Sequence, residues 1–317
     1  MSETLLLLFD LKDEQLESVK RLIPGWTIVR AKKETLAEEH CRNAEIVLGW
    51  NSDMAKALDS AAGLKWIQTT SAGVDRLPLE KLRERGVWLT SASGIHPVSM
   101  AETFFAMLLA FSRNLHQAVR HQSRSLWQPS ERYGQLSGAT LGIVGVGSIG
   151  KEIARLAQAF GMRTIGVRRS AAPTDGIDEM HGMEGLDRVL AESDFVVNVL
   201  PYTDETHHLF DAARFRRMKP SALFFNFGRG ASADTEALVS ALESGTIGGA
   251  GLDVFEEEPL PADHPLWKMD NVILTPHIGG WTSGYKAKVA EIFLDNLENY
   301  VGGNRPSRNL VDYDRNY

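Results

Sequence analysis

The sequence has little of what marks a secreted, membrane-spanning or nucleic-acid-binding chain. It has one cysteine, Cys41. No intramolecular disulfide is therefore available, and such cysteine usage fits a reducing, cytoplasmic setting. Long hydrophobic runs are missing. The run "LLLLF" at 5–9 has no basic flank and is too short for a signal-peptide core or a membrane span; it reads as a buried strand. Positive charge is not in excess, since 34 Lys and Arg against 41 Asp and Glu leave a formal net charge of -7. Nucleic acid and anionic membranes are not expected as main partners. There is no low-complexity tract and no repeat of solenoid period. A metal site is not expected either. His207 and His208 are adjacent but lack a nearby cysteine or a spaced carboxylate, and they read as the start of a helix. His96 and His264 read as loop-serving side chains, and Ser71 has no nucleophile elbow around it.

What is present is an alternation. "TLLLLFD", "WTIVRA", "EIVLGW", "LKWIQTT" and "GVWLTS" are short apolar runs separated by segments of helical composition such as "DEQLESVKRLI". This pattern predicts a parallel sheet in a first doubly wound unit ending near residue 95. "HPVSMAETFFAMLLAFSRNLHQAVRHQ" at 96–122 predicts one long, buried helix opened by Pro97. A second alternation starts near 140, with strands at "TLGIVGV", "RTIGV", "FVVNVL", "ALFFNF", "AGLDVF" and "VILTP". A closing helix is expected over 282–300, and 317 residues are enough for two such domains.

Gly145, Gly147 and Gly150 form G-x-G-x-x-G between a strand and an amphipathic helix carrying Ile153, Leu156, Ala157 and Phe160 on one face. The first glycine permits the turn, the second lets backbone approach a pyrophosphate, and the third lets helix and strand pack closely. Ser148 and Ile149 complete the loop, whose helix N-terminus favours an anion. The next strand ends in "IGVRRS". An acid is expected there to accept hydrogen bonds from ribose hydroxyls. The chain instead offers Arg168, eighteen residues after Gly150, followed by Arg169 and Ser170. Guanidinium groups pair with phosphate in fork geometry, so NADP is the expected cofactor, with NAD weaker.

Three other strand ends carry chemistry: "NFGRG" at 226–230, "DVFEEEP" at 253–259 and "TPHIGG" at 275–280. Ligands bind at the carboxyl ends of parallel strands, so Arg229, Glu258 and His277 are candidates for one site. Reducing a 2-oxo acid leaves negative charge on a carbonyl oxygen. A histidine can protonate it, a carboxylate beside the histidine favours its charged form, and an arginine can hold the substrate carboxylate by two parallel bonds. Trp281 and Tyr285 follow the histidine closely, where either pocket walls or ordinary helix packing would account for them.

With "SAGVD" at 71–75, "LGIVGVGSIG", "LPYTDET", "NFGRG", "GLDVFEEEPL" and "TPHIGG" in this order, the chain resembles the D-isomer-specific 2-hydroxyacid dehydrogenases. The resemblance implies two Rossmann-like α/β domains with parallel sheets and a cleft between them. A dinucleotide domain, 97–282, would be inserted into a substrate domain made of 1–96 and 283–317. It implies that Arg229 binds and polarises the substrate, that Glu258 supports His277, and that His277 is the acid/base. It implies that Ala72 and Gly73 cradle the substrate carboxylate, with Trp281 as a further substrate contact. Asp253 would lie beside the nicotinamide amide. Leu200, Pro201, Thr206, Phe227, Gly228 and Gly279, from the same motifs, would border the cofactor. A homodimer built around the 98–120 region is also implied. The arginine pair departs from the acid that many members carry and resembles the NADP-dependent glyoxylate and hydroxypyruvate reductases. Two other readings are an NAD-dependent phosphoglycerate-type dehydrogenase and a nucleotide-sensing, co-repressor-like binding protein. The expected partner is a small 2-oxo or 2-hydroxy acid.

Overall fold

The computed structural model describes residues 3–31, 38–129 and 133–315. These divide into two units, one formed by Met1–Ile95 with Thr282–Tyr317 and the other by His96–Trp281. The expected domain bounds include residues 1–2, 32–37, 130–132 and 316–317, which lie outside the described residues.

The first unit holds five parallel strands, β1 (Thr4–Leu7), β2 (Thr27–Arg30), β3 (Ile46–Leu48), β4 (Trp66–Gln68) and β5 (Trp88–Thr90), in the order β2-β1-β3-β4-β5. Side chains alternate across a strand, and here both faces are covered. Leu5, Leu7, Ile46, Leu48 and Trp66 pack on one side with the helices Asp13–Leu22 and Tyr285–Val301. Leu6, Val47, Ile67 and Leu89 pack on the other with Cys41, Met54 and Leu82. This explains the unbroken "LLLL": a parallel strand buried on both faces needs no polar alternation. The closing helix starts at Tyr285, three residues later than expected, and Val289, Ile292, Phe293 and Leu297 form its buried stripe.

The second unit holds seven parallel strands. They are β6 (Thr140–Val144), β7 (Arg163–Val167), β8 (Glu179–His181), β9 (Phe195–Asn198), β10 (Leu223–Asn226), β11 (Gly249–Leu252) and β12 (Val272–Leu274), in the order β12-β11-β10-β9-β6-β7-β8. The strand order reverses between β6 and β9, which opens a crevice at their carboxyl ends. The expectation of two doubly wound α/β units with parallel sheets is met. Strand β8 is not legible in "EMH", because an edge strand with three half-buried residues carries no apolar pattern.

The single helix expected over 96–122 is two helices, Pro97–Ser112 and Leu115–Gln122. Asn114 breaks it by taking the left-handed conformation (φ 52°), which asparagine tolerates better than most residues. The first piece is buried as expected, through Ala101, Phe104, Phe105, Met107, Leu108 and Phe111. The second buries none of its residues. Phe160, expected on the buried face after Ile153 and Ala157, is half exposed at the helix end and stacks on Phe105. His207 and His208 do not start a helix. They follow a short 3-10 turn, Asp204–Thr206, and the next helix begins at Ala212.

In the first unit Asn296 is fully buried. Its amide donates to Gln68 Oε1 (3.2 Å) and the Arg308 carbonyl (2.9 Å), and its oxygen accepts from the amides of Ser307 (3.1 Å) and Arg308 (2.9 Å). Orphaning buried partners costs about 1–3 kcal/mol. Asn296→Ala is therefore expected to destabilise the protein by at least about 2 kcal/mol and to lower its Tm by roughly 4–8 °C in a thermal melt; an unchanged Tm would show that these bonds do not hold the C-terminal segment.

Candidate active site at the carboxyl ends of the second sheet

The glycine loop leaves β6 and opens the helix Ser148–Ala159. Each glycine has its own reason. Gly145 has φ 105°, and a Cβ there would lie 2.9 Å from the Leu200 amide nitrogen. At Gly150 a Cβ would lie 2.9 Å from the Gly145 carbonyl oxygen and 3.1 Å from Ile143. Around Gly147 nothing lies within 4 Å of the Cβ position. That open space, beside the N–H groups of a helix's first turn, is what a dinucleotide pyrophosphate needs, so the loop fits such a cofactor. Ser148 is exposed, and Ile149 and Leu200 are half-buried.

The ends of β7 and β9 shape what flanks that loop. Arg168 donates from Nε to the Ser170 carbonyl (2.9 Å) and from Nη2 to the Ala172 carbonyl (3.1 Å). It thus builds its own loop, while Arg169 and Ser170 are exposed. After β9, Pro201 is exposed. The Thr206 hydroxyl donates to the Pro201 carbonyl (2.8 Å) and accepts from the Thr203 amide (2.8 Å), so it sets the fold of this loop.

Sequence reasoning missed a buried polar network that fixes the Arg229 loop. Asn198 Nδ2 donates to Asn226 Oδ1 (3.0 Å) and to Ser232 Oγ (2.6 Å). Asn226 Nδ2 (3.1 Å) and Ser232 Oγ (2.6 Å) both donate to the Arg229 carbonyl. All three side chains are buried, so each requires a partner. The signal was an asparagine closing each of two apolar runs, in "FVVN" and "LFFN". Arg229 itself is half-buried, and its Nη1 donates to the Gly228 carbonyl (3.0 Å). The ring of Phe227 lies in the core against Phe104. Gly230 lies so close to the next loop that a Cβ would overlap the Phe255 carbonyl carbon. The Arg229 loop and the loop after β11 are therefore in backbone contact.

The loop after β11 carries Asp253 and Glu258. Asp253 is 2% exposed. Its Oδ1 accepts from Thr275 Oγ1 (2.6 Å) and the Ile278 amide (2.9 Å), its Oδ2 accepts from the Gly279 amide (2.9 Å), and its carbonyl accepts from the His277 amide (2.9 Å). It thereby holds the whole turn after β12. His277 sits in that turn with φ 54°, a conformation that needs support from its surroundings. Its Nδ1 lies 3.1 Å from Glu258 Oε1 and 3.0 Å from Oε2. Glu258 Oε1 also accepts from the Phe255 amide (3.2 Å). The His277 side chain is 45% exposed while that of Glu258 is 19%, so the carboxylate orients the ring from within. Among the described residues no group of three or more His, Cys, Asp or Glu is arranged to hold a metal ion.

Of the other candidates, Trp281 is 76% exposed. Tyr285 belongs to the first unit, where its hydroxyl donates to the Thr70 carbonyl and its ring meets Phe9 edge-on. Burial pushes its phenol up. In the same unit Ala72 and Gly73 are half-buried in the turn after β4, where Ser71 Oγ donates to the Gly73 carbonyl (2.7 Å). His264 caps a 3-10 helix by accepting from the Leu266 amide (3.3 Å).

Comparison with known proteins agrees with this architecture. Residues 105–279 match the family model for the D-isomer specific 2-hydroxyacid dehydrogenase, NAD binding domain. A glyoxylate reductase of Thermococcus onnurineus is 40% identical over 262 residues, covering 80% of this chain and 78% of the relative. A solved D-isomer specific 2-hydroxyacid dehydrogenase family protein from Aeromonas salmonicida is 40% identical, with a TM-score of 0.88, covering 99% of this chain and all of its own. An NADPH-dependent glyoxylate/hydroxypyruvate reductase from Sinorhizobium meliloti, solved with NADP and sulfate, is 27% identical with a TM-score of 0.83, covering 100% of both chains. The chain belongs to the D-isomer specific 2-hydroxyacid dehydrogenase family. It is an oxidoreductase of that family, with a nicotinamide dinucleotide as cofactor.

Asp253→Asn tests the turn. An amide has one oxygen, so its NH2 group must face either the Gly279 amide or the Thr275–Ile278 donors, and one N–H loses its acceptor at about 1–3 kcal/mol. Hydrogen exchange at Ile278 and Gly279 is expected to speed up by about tenfold or more; unchanged protection would show that the carboxylate does not hold the turn.

Proposed function

We propose that this protein reduces a short 2-oxo acid, of the glyoxylate or hydroxypyruvate kind, to the D-2-hydroxy acid, with NADPH preferred over NADH. The observation that carries the reading is the Glu258 carboxylate on His277 Nδ1 at 3.0 Å, with the ring still open to solvent. A histidine bonded this way is held in one orientation. Its other nitrogen, Nε2, is left to exchange a proton with substrate. Arg229 takes the substrate carboxylate in a two-pronged pair and polarises the neighbouring carbonyl. A reduced nicotinamide, when bound at the glycine loop, would supply hydride to C2. His277 gives its proton to the carbonyl oxygen as negative charge develops there, so the product carries C–H and O–H. Glu258 holds the ring in place for that transfer. The second unit would be the cofactor domain and the first the substrate domain, with Ala72, Gly73 and Trp281 as substrate contacts and Asp253 beside the nicotinamide amide. Cytoplasmic residence fits the single thiol, Cys41, which burial pushes up and keeps protonated.

Arg229→Lys keeps the charge and loses the planar fork. It is expected to lower kcat/KM by about a hundredfold with cofactor affinity nearly intact; an unchanged kcat/KM would remove Arg229 from the site. His277→Ala is expected to nearly abolish turnover. Glu258→Gln is expected to keep part of it, with kcat lowered by about tenfold, because the ring loses the carboxylate that orients it. An unchanged kcat would contradict the pairing.

The NADPH preference rests on Arg168, Arg169 and Ser170. The arginine pair gives the 2′-phosphate a cationic edge, and the Arg168 bonds to the Ser170 and Ala172 carbonyls hold that edge in shape. The NADP-bound Sinorhizobium structure supports this cofactor. A charge-assisted contact contributes on the order of 1.5–3 kcal/mol, less solvent screening. The double change Arg168→Asp with Arg169→Ala is expected to shift the kcat/KM ratio of NADPH to NADH by roughly a hundredfold toward NADH. The parent's preference should shrink as salt rises. Equal losses with both cofactors would show that the pair does not read phosphate.

The helix Leu115–Gln122 leaves Leu115 57% and Val119 56% exposed, and Trp127 beyond it is fully exposed. Clustered apolar exposure of this kind marks an interface, and a homodimer would cover it. Light scattering at micromolar concentration is expected to give twice the chain mass; a stable monomer would reject the assembly.

A further inference from the structure

Two features of the sequence, the acidic run Glu256–Glu258 and the histidine pair His207–His208, meet in the structure on the loop that also carries Glu258. His208 Nε2 lies 2.6 Å from Glu256 Oε1, and Glu256 Oε2 accepts from the Thr235 amide at 2.8 Å. Burial alone would raise the Glu256 carboxyl, but the hydrogen bonds from Thr235 and His208 outweigh it and hold the group below its usual range. His208 is itself fixed. Its backbone is left-handed (φ 47°), its amide donates to the Ala231 carbonyl (2.8 Å), and its ring stacks on His207 with centroids 4.0 Å apart. One carboxylate therefore joins three segments: the 208–210 stretch, the start of the helix Thr235–Glu243, and the loop that ends in Glu258. The first two adjoin the Arg229 loop, because Phe210 pairs with Ala233 just beyond it. The third carries the acceptor for His277, and Glu258 is tied back to the Phe255 amide next to Glu256.

We propose that Glu256, braced by His208, is a positioning residue that holds the Glu258–His277 pair and Arg229 in one fixed geometry; this rests on the reading of the site given above. A half-exposed contact of this kind contributes little to global stability. A misplacement of about 1 Å in a reacting constellation, by contrast, can lower the rate by roughly a hundredfold. The brace should thus show in kcat far more than in unfolding.

The test combines kinetics with hydrogen exchange on the full-length protein, using NADPH, glyoxylate and the variants Glu256→Ala and Glu256→Gln. Glu256→Ala is expected to lower kcat by roughly tenfold to a hundredfold, to leave the NADPH Kd within about twofold, and to speed amide exchange only in 229–235 and 253–260. Glu256→Gln, which still accepts from Thr235 and can bond His208, is expected to recover most of kcat. An unchanged kcat in Glu256→Ala overturns the proposal. So does a glutamine no better than alanine, or a loss shared equally by kcat, NADPH binding and exchange across the whole chain. If the parent reduces no 2-oxo acid, the reading of the site falls and exchange alone judges the brace: local acceleration in those two segments upholds it, and unchanged protection rejects it.

Discussion

A carboxylate taken out of water has to be hydrogen-bonded or neutralised, and the way Asp253 is satisfied shapes the turn that follows β12. Its two oxygens and its carbonyl together take four bonds from residues 275–279. A left-handed histidine is a costly conformation to hold open to solvent. Here the two amides after His277 and the hydroxyl of Thr275 converge on one buried acceptor, so the turn has little freedom to relax. Glu258, five residues after Asp253, lies on the same loop after β11, so the two carboxylates that contact the His277 turn share one loop origin.

The same logic recurs at the neighbouring strand end. Asn198, Asn226 and Ser232 satisfy one another and direct two donors at the Arg229 carbonyl. Gly230 lets that loop touch the backbone of Phe255. None of these groups has an obvious chemical task. They bring the Arg229 loop and the Glu258 loop together with almost no side-chain freedom between them, which is how a site keeps its geometry without relying on long, flexible contacts.

Much of this was legible in the sequence because a parallel sheet has only one useful end. Once the apolar runs were assigned to strands, "GVGSIG", "NFGRG", "DVFEEEP" and "TPHIGG" all fell just after them, and the contact between Glu258 and His277 follows from that placement. The close contacts at Gly145 and Gly150 and the open space at Gly147 were legible for the same reason. Other features were not. Strand β8 is too short and polar to show a period. The break at Asn114 depends on one residue's tolerance of positive φ inside an otherwise helical run. The histidine pair resembled a helix start because side-chain chemistry alone does not reveal that His208 turns back toward Glu256. The tie from Arg168 to the Ser170 and Ala172 carbonyls is likewise a matter of loop geometry, which composition does not carry.

The proposed reaction depends on a proton delivered by His277 as a 2-oxo acid accepts a hydride. The most direct measurement is the loss of nicotinamide absorbance with a panel of short 2-oxo acids, run with NADPH and with NADH, followed by chiral analysis of the product from a prochiral member of the panel. Turnover with glyoxylate and hydroxypyruvate, a higher kcat/KM with NADPH, and a D-2-hydroxy acid as product are expected. No turnover with any 2-oxo acid, or an L product, would contradict the proposed reaction.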